Sequence, residues 1–312
     1  MFITNFGSYC IDHVYSVPYF VRPGETLPSL NYEIHPGGKG LNQSLALAYA
    51  GATVRHAGKI GEDGTWMKTL LDDAGVDTSM TSIIDIPTGH ANIQVTPKGE
   101  NAIVIYGGAN KEISESDIEA VLYDVSSGDH LLIQNEISCL PELIEMAASK
   151  EQCIIFNAAP ITAEVNDYPL DLVEIFVVNE VEAEALAGES DPDKILDAMV
   201  SQFPNARTIL TLGELGARYA FKEQRVVQPA YTVNALDSTG AGDTFTGYFL
   251  ANSRCSSSDA RYRDAAMKCG FFDGELACSV FLEAFEDVSD LRLLIVCIPL
   301  FSASDGMPRC TS

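Results

Sequence analysis

The stretch Leu236-Asp237-Ser238-Thr239-Gly240-Ala241-Gly242-Asp243-Thr244-Phe245-Thr246-Gly247 decides the fold. It is small and glycine-rich at its front and becomes apolar behind Asp243, which predicts a tight loop that leads into a helix. A helix N-terminus offers unpaired backbone N–H groups and the positive end of the helix dipole, and both favour a bound anion. Gly240 and Gly242 leave room for the backbone to approach that anion closely.

Asp243 stands beside the expected anion, where a carboxylate is electrostatically unfavourable unless it has a task. Accepting a proton from an attacking hydroxyl is one such task. The stretch alone leaves an alternative open, in which the loop is a plain turn and Asp243 caps the helix. Asp243 is therefore a candidate general base, and the loop in front of it is a candidate anion site.

The composition narrows the classes of partner. The 312 residues include 44 acidic and 19 basic side chains, and the formal net charge is −25. A surface with this much negative charge repels nucleic acid and anionic membranes. Neither is therefore expected as a partner. A site for phosphate must then be built locally, from helix dipoles, a lysine or a metal ion.

Cysteine, histidine and apolar patterns point to a cytoplasmic protein. The eight cysteines contain no C-x-x-C pair and the five histidines no H-E-x-x-H spacing, so neither a zinc site nor a disulfide framework is indicated. The first 16 residues lack a basic segment followed by an apolar one, which predicts no signal peptide. Residues 291–301 are apolar but too few to span a bilayer.

A second glycine-rich segment, Pro36-Gly37-Gly38-Lys39-Gly40-Leu41-Asn42-Gln43, precedes a predicted helix at residues 44–50. It is not a Walker A loop, because glycine rather than serine or threonine follows Gly-Lys. The helix dipole disfavours a lysine at a helix start, which favours a negative or polar partner for Lys39. A phosphate or a sugar hydroxyl would fit, whereas a solvated surface lysine is the alternative.

The remaining pattern predicts an α/β fold. Strands are expected at residues 2–7 and 53–59, and a hairpin at residues 88–95 and 101–106 joins the proline-punctuated segment 14–34 in a small separate sheet. From residue 114 helices and strands alternate, which predicts a doubly wound, mainly parallel sheet flanked by helices. The helices are expected at 114–124, 140–149, 180–187 and 191–202, and the strands at 130–135, 152–157, 173–178 and 207–212.

Polar side chains follow the ends of the predicted strands. Ligands of parallel sheets bind at the carboxyl ends of the strands, so these side chains are candidate ligand contacts. For Glu182 a solvated acid on a helix face is the alternative. The candidates are Asp12, Glu136, Asn179, Glu182, Thr211 and Gly213.

Five motifs occur in an order and spacing that resemble the ribokinase-like (PfkB) carbohydrate kinase family. The resemblance runs from about residue 2 to about residue 269. The motifs are Gly37-Gly38-Lys39-Gly40-Leu41-Asn42, Asn157-Ala158-Ala159-Pro160, Asn179-Glu180-Val181-Glu182, Thr211-Leu212-Gly213-Glu214-Leu215-Gly216 and Asp237-Ser238-Thr239-Gly240-Ala241-Gly242-Asp243-Thr244-Phe245.

This resemblance implies a single α/β kinase domain over residues 1–312 that transfers the γ-phosphoryl group of ATP to a primary hydroxyl of a small sugar. It implies Mg²⁺, and K⁺ as a further possible ion. A lid of about residues 13–35 and 87–107 would cover the sugar and also pair two chains in a homodimer.

The resemblance also implies roles for individual residues. Positions that contact the sugar in the family are matched by Asp12, Gly38, Lys39, Asn42, Glu136 and Asp243. The end that holds Mg²⁺ and phosphate is matched by Asn179 and Glu182, with Glu182 acting on the metal through water. The nucleotide-side loop is matched by Thr211, Gly213 and Gly216, the anion hole by Gly240, Ala241 and Gly242, the catalytic base by Asp243 and a monovalent-cation contact by Asp237.

Two departures from the family pattern keep alternatives open. The family usually has asparagine where this chain has Cys10, and a thiol is a poor hydrogen-bond partner for a sugar hydroxyl. The substrate therefore stays open between ribose, a related pentose and a nucleoside. Residues 270–312 form an atypical tail in the place where relatives line the adenine pocket, so a non-catalytic sugar-binding protein is the second function considered.

Overall fold

A computed structural model describes residues 2–230 and 240–252 of the chain. In chain order their strands are β1 (Phe2–Phe6), β2 (Cys10–Ser16), β3 (Asn31–Gly37), β4 (Thr53–Ile60), β5 (Asp77–Ile83), β6 (His90–Val95), β7 (Asn101–Tyr106), β8 (His130–Gln134), β9 (Cys153–Asn157), β10 (Ile175–Asn179), β11 (Arg207–Thr211), β12 (Ala217–Phe221) and β13 (Gln224–Gln228). The α-helices are α1 (Lys39–Tyr49), α2 (Thr65–Asp73), α3 (Glu115–Val121), α4 (Leu140–Ser149), α5 (Glu180–Ala187), α6 (Pro192–Gln202) and α7 (Ala241–Asn252).

The main sheet has the strand order β13-β12-β11-β10-β9-β8-β1-β4-β5. Strands β11 through β5 in that order are parallel, and β12 and β13 continue the sheet as antiparallel strands. The chain leaves β1 toward β4 and β5, then returns to the other side of β1 with β8. The strand order therefore reverses at β1, and such a switch point opens a crevice at the carboxyl ends of the strands.

Apolar side chains on both faces of this sheet explain why helices cover both. Strands β8 and β9 are buried along their whole length, which is the pattern of parallel strands between two helical layers. One core cluster packs α3, α4, α5 and α6 on the sheet through residues such as Leu143 and Leu196. The other packs α1, α2 and α7 through Leu45, Leu71 and Phe249.

The second sheet has the order β3-β2-β6-β7. Strand β2 pairs antiparallel with β3 and parallel with β6, and β7 closes the edge antiparallel to β6. Every residue of β7 is exposed, including the apolar Val104 and Ile105. An exposed apolar edge strand is a surface that natural proteins commonly cover.

The structure corrects several local predictions. Asp12 was expected in the exit from the first strand, but it lies inside β2 of the second sheet, opposite His35 of β3. Helix α1 begins at Lys39, five residues earlier than expected, because Gly38 makes the turn alone with a φ of 95°. Strands β5, β12 and β13 were not predicted. Asp237 and the tail at residues 270–312 lie outside the described residues.

Candidate active site

The two glycine-rich segments meet at Asp243. Its carboxylate is buried on the first turn of α7, where Oδ1 accepts a hydrogen bond of 2.8 Å from Nε2 of Gln43. Oδ2 accepts a bond of 3.1 Å from Nδ2 of Asn42. These bonds join residues about 200 positions apart, so the candidate base is held by α1 as well as by its own helix.

Close packing of α1 against α7 makes these bonds possible. A Cβ added to Gly247 would lie 2.8 Å from the backbone nitrogen of Leu47, so only glycine permits this approach of the two helices. Gly240 has a φ of 74°, which glycine adopts readily. A Cβ on Gly242 would meet nothing within 4 Å among the described residues. Among the described residues, the first turn of α7 thus has open space beside Gly242.

Glu136 follows β8 and closes the N-terminus of α1. Its Oε2 accepts a hydrogen bond of 2.9 Å from the backbone N–H of Lys39 and another from the hydroxyl of Ser8. The Ser8 hydroxyl oxygen in turn accepts from the backbone N–H of Gly40 at 3.2 Å. Burial raises the pKa of Glu136, although the Ser8 bond and the Lys39 charge act in the opposite direction.

Asp12 reaches the site from the second sheet. Its carboxylate occupies the space that a side chain at Gly37 would need, so it lies directly against the end of β3, one residue before Gly38. Burial raises the pKa of Asp12, and a hydrogen bond with the Cys10 thiol counteracts that rise. The pKa of Cys10 is raised, first by burial and then by the charge of Asp12, so the thiol is a protonated donor at neutral pH.

Lys39 is the cation among the carboxylates of the site. Burial lowers its pKa, but the charges of Asp243, Glu136 and Glu182 together outweigh burial, so the net pKa is raised. Among the hydrogen bonds and ion pairs of residues 2–230 and 240–252, none uses its ammonium group. As far as the described residues show, this protonated ammonium is therefore available to a negatively charged ligand.

Asn179 and Glu182 form a capping box at the start of α5. The Asn179 side chain accepts from the backbone N–H of Glu182 at 3.0 Å, and Glu182 accepts from the Asn179 backbone at 2.9 Å. The other oxygen of Glu182 accepts from the Asn179 amide at 2.8 Å. Burial raises the pKa of Glu182, so this acid is not the solvated surface residue of the alternative interpretation.

The arrangement of Asn179 and Glu182 determines how these residues fit a Mg²⁺ ion. Across the described ranges no three histidine, cysteine, aspartate or glutamate side chains group closely enough to enclose a metal ion. Both oxygens of Glu182 already accept hydrogen bonds. Mg²⁺ usually keeps several waters and binds one or two carboxylates plus phosphates, so Glu182 fits a contact through water.

The turn after β11 carries the remaining predicted residues. Thr211 ends the strand and donates to the backbone oxygen of Val178 at 3.3 Å, which fixes it against β10. Gly213 and Gly216 have φ values of 53° and 98°, and the backbone N–H of Leu212 donates to Gly216 at 2.8 Å. Within the described ranges no hydrogen bond joins this turn to Asp243 or Lys39.

Several residues that complete the site were not predicted from the sequence. Ser8, Gln43, Gln134 and Asn157 are polar, buried and hydrogen-bonded to one another or to the predicted residues. One signal was available for Gln43, because it stands one turn before Ala46 and Leu47 on the core side of α1. A polar side chain on the apolar face of a helix needs a partner, which marks it as a network residue.

Several ribokinases are similar to this chain in sequence or in structure. The ribokinase of Haemophilus influenzae is 37% identical over 257 residues, which cover 80% of this chain and 84% of that protein. The crystal structure of ribokinase from Cryptococcus neoformans var. grubii serotype A in complex with ADP has a TM-score of 0.74 and 33% identity, covering 86% of this chain and 91% of that one. The structure of Arabidopsis thaliana ribokinase complexed with ribose and ATP has a TM-score of 0.73 and 26% identity, covering 86% and 91%.

These similarities show that the chain is a kinase, a phosphotransferase with an alcohol group as acceptor. They also confirm the predicted ribokinase-like α/β fold. The chain belongs to the pfkB family of carbohydrate kinases, whose family model matches residues 2–262. A search of the described helices for one long and apolar enough to cross a membrane found none.

We predict that Lys39→Met raises the pKa of both Glu136 and Glu182. The Lys39 charge lowers both values in the wild-type protein, so its removal leaves burial less opposed. Carbon-13 NMR titration of glutamate-labelled protein measures the change. Lys68→Met is the matched control, because Lys68 pairs with Asp72 one helical turn away and lies outside the site. Unchanged titration midpoints in Lys39→Met would contradict the electrostatic coupling described above.

Proposed function

We propose that the protein transfers the γ-phosphoryl group of ATP to a primary hydroxyl of a pentose, with ribose as the first candidate. The observation that carries this proposal is the Asp243 carboxylate, which is buried beside the open first turn of α7 and held by α1. A carboxylate at the N-terminal turn of a helix, whose first backbone N–H groups have no partner within the helix, combines a general base with an anion site.

In the proposed reaction the sugar hydroxyl lies between Asp243 and the γ-phosphate. The hydroxyl oxygen forms the new bond to phosphorus, its proton moves to Asp243, and the bond from phosphorus to the bridging oxygen of ADP breaks. Backbone N–H groups of Gly240, Ala241 and Gly242 and the ammonium of Lys39 would stabilise charge on the transferred group. Bound Mg²⁺ would neutralise phosphate charge, with Asn179 and Glu182 orienting its waters.

The proposed sugar site uses half-buried groups, of which Asn42 and Glu136 are held by hydrogen bonds to Asp243 and to the backbone of Lys39. Asp12, Asn42 and Glu136 offer carboxylate and amide groups, and Gly38 joins the second sheet to α1 beside them. Buried polar groups discriminate strongly, because a substrate that lacks a matching hydroxyl leaves them unpaired. The relatives named as ribokinases and the neighbour bound to ribose and ATP support ribose. Because the Cys10 thiol is a poor hydrogen-bond partner for a sugar hydroxyl, the substrate test below also includes related pentoses.

The proposal extends to the second sheet, to the nucleotide and to a monovalent ion. Residues 13–35 and 87–107 would close over the sugar and exclude water, which limits hydrolysis of ATP. The exposed apolar side chains of β7 would pair with a second copy of the chain. Thr211, Gly213 and Gly216 would line the nucleotide side. K⁺ at Asp237 stays a prediction, because Asp237 lies outside the described residues.

Asp243→Asn tests the general base. We expect kcat to fall by about 10²- to 10⁴-fold, which is the usual contribution of a general base. Sugar binding, measured by calorimetry, should change little, because the amide keeps the shape of the carboxylate. A coupled assay of ADP formation measures kcat, and Asp167→Asn at an exposed position is the control. Wild-type turnover in Asp243→Asn would overturn the mechanism.

A substrate panel tests the proposed sugar. Ribose, 2-deoxyribose, arabinose, fructose and adenosine are each offered with ATP, and we expect the highest kcat/KM for ribose. The loss of one paired hydroxyl should lower kcat/KM strongly, because the site groups then stay unpaired. Preference for adenosine would identify a nucleoside kinase. Calorimetric binding of ribose without ATP binding or turnover would identify the sugar-binding protein instead.

Val104→Glu tests the pairing of two chains. We expect the wild-type protein to be a dimer at micromolar concentration and the variant to be a monomer, because the charge would be buried at the contact. Size-exclusion chromatography with light scattering measures the mass. Val227→Glu is the matched control, because Val227 is also exposed and lies on the edge strand β13 of the main sheet. A monomeric wild-type protein would contradict the homodimer.

A further inference from the structure

Gln43 is a fully buried amide at the centre of the site. Its Nε2 donates to Oδ1 of Asp243 at 2.8 Å and to Oδ1 of Asn157 at 3.2 Å. Its Oε1 accepts from Nε2 of Gln134 at 2.7 Å. No other side chain among the described residues donates to Oδ1 of Asp243. Gln43 therefore connects the candidate base to the main sheet.

Three parallel strands fix the orientation of this amide. Gln134 at the end of β8 also donates to Oδ1 of Asn5 in β1 at 2.9 Å, so its NH₂ group points toward two acceptors. Asn157 at the end of β9 donates to the backbone oxygen of Val177 at 2.8 Å, which leaves its Oδ1 to accept from Gln43. With both neighbours fixed, Gln43 can present only its NH₂ group to Asp243.

We propose that Gln43 is a positioning residue, which holds Oδ1 of Asp243 so that Oδ2 faces the substrate hydroxyl and accepts its proton. The inference rests on the proposed function. Oδ2 is bonded to the half-buried Asn42 and Oδ1 to the fully buried Gln43, and we therefore assign Oδ2 to the substrate side of the carboxylate. A carboxylate fixed at one oxygen keeps the second oxygen in place through the reaction.

The charges around Asp243 explain why a donor is needed there. Lys39 in α1 attracts the carboxylate, whereas Glu136 after β8 and Glu182 in α5 repel it. Two like charges and one opposite charge therefore act on the Asp243 carboxylate, and the Gln43 amide adds a favourable hydrogen bond at its Oδ1. A donated N–H bond favours the ionised form, which is the form that can accept a proton. Gln43 thus supplies orientation and stabilises the ionised base together.

The test compares Gln43→Met with Gln43→Glu. Methionine fills a similar volume without a donor, and glutamate keeps an acceptor for Gln134 but adds a negative charge. We expect kcat to fall by about 10- to 100-fold in both variants, the size of effect that misplaced catalytic groups produce. KM for sugar and for ATP should stay within about threefold, because neither variant changes a proposed substrate contact.

The pH profile separates positioning from a merely structural role. The acidic limb of kcat should move to higher pH in both variants, and further in Gln43→Glu, because a carboxylate replaces a donor beside Asp243. Gln152→Met is the matched control, since Gln152 is a buried glutamine outside the site whose side-chain atoms bond to none of the described residues. It should leave kcat and the pH profile unchanged.

The outcomes distinguish this inference from the proposed function. A wild-type protein that phosphorylates no sugar would overturn the proposed function and the inference with it. An active wild type whose Gln43 variants keep kcat and the acidic limb would overturn the inference alone. A Gln43→Met effect that persists at equal size in an Asp243→Asn background would also overturn it, because Gln43 would then act without Asp243. Gln43→Glu carries the test if Gln43→Met does not fold, because it retains the Gln134 bond.

Discussion

The rest of the site depends on the close approach of helix α1 to the end of strand β1. The Cα of Gly40 lies only 2.6 Å from where a Cβ on Gly7 would be, and a Cβ on Gly40 would meet the Gly7 Cα at the same distance. Two glycines in contact therefore set the position of α1 at the switch point of the sheet. That position brings Lys39, Asn42 and Gln43 over the carboxyl ends of β1 and β8, where the candidate base is also held.

A strongly acidic protein repels the phosphate groups of a phosphoryl donor. Groups within the site itself must therefore supply the attraction. The formal charge is −25, yet Lys39 places a positive charge, and the N-terminus of α7 its positive dipole end, among the carboxylates of the site. The nearby carboxylates are costly to bury, but each accepts hydrogen bonds from a helix start or a neighbouring amide. Among the described residues the polar network thus pairs these acids without using the Lys39 ammonium in a hydrogen bond or ion pair.

The sequence predicted the regular part of the fold well and the site only in outline. Helices α4 and α5 have the predicted bounds, because apolar periodicity and terminal signals agree there. The glycines before α1 gave no sign that the helix begins at Lys39. Strands β12 and β13 form a hairpin whose two-residue turn, Lys222-Glu223, has no glycine, asparagine or aspartate to mark it in the sequence. Asp243 was identified from its own stretch, but its contact with Gln43 depends on helix packing that no local pattern encodes.

The connection between the two sheets links sugar recognition to the chemistry. Strand β3 ends at Gly37 and helix α1 begins at Lys39, so Gly38 alone separates the second sheet from the helix that holds Asp243. A Cβ on Gly38 would lie 2.9 Å from the backbone nitrogen of Cys10, which shows that this joint is packed against β2 rather than free. Any rotation of the second sheet would therefore act on the start of α1 through Gly38. Under the proposed function, a sugar that binds Asp12 therefore contacts the sheet that Gly38 connects to α1, the helix that positions the Asp243 carboxylate.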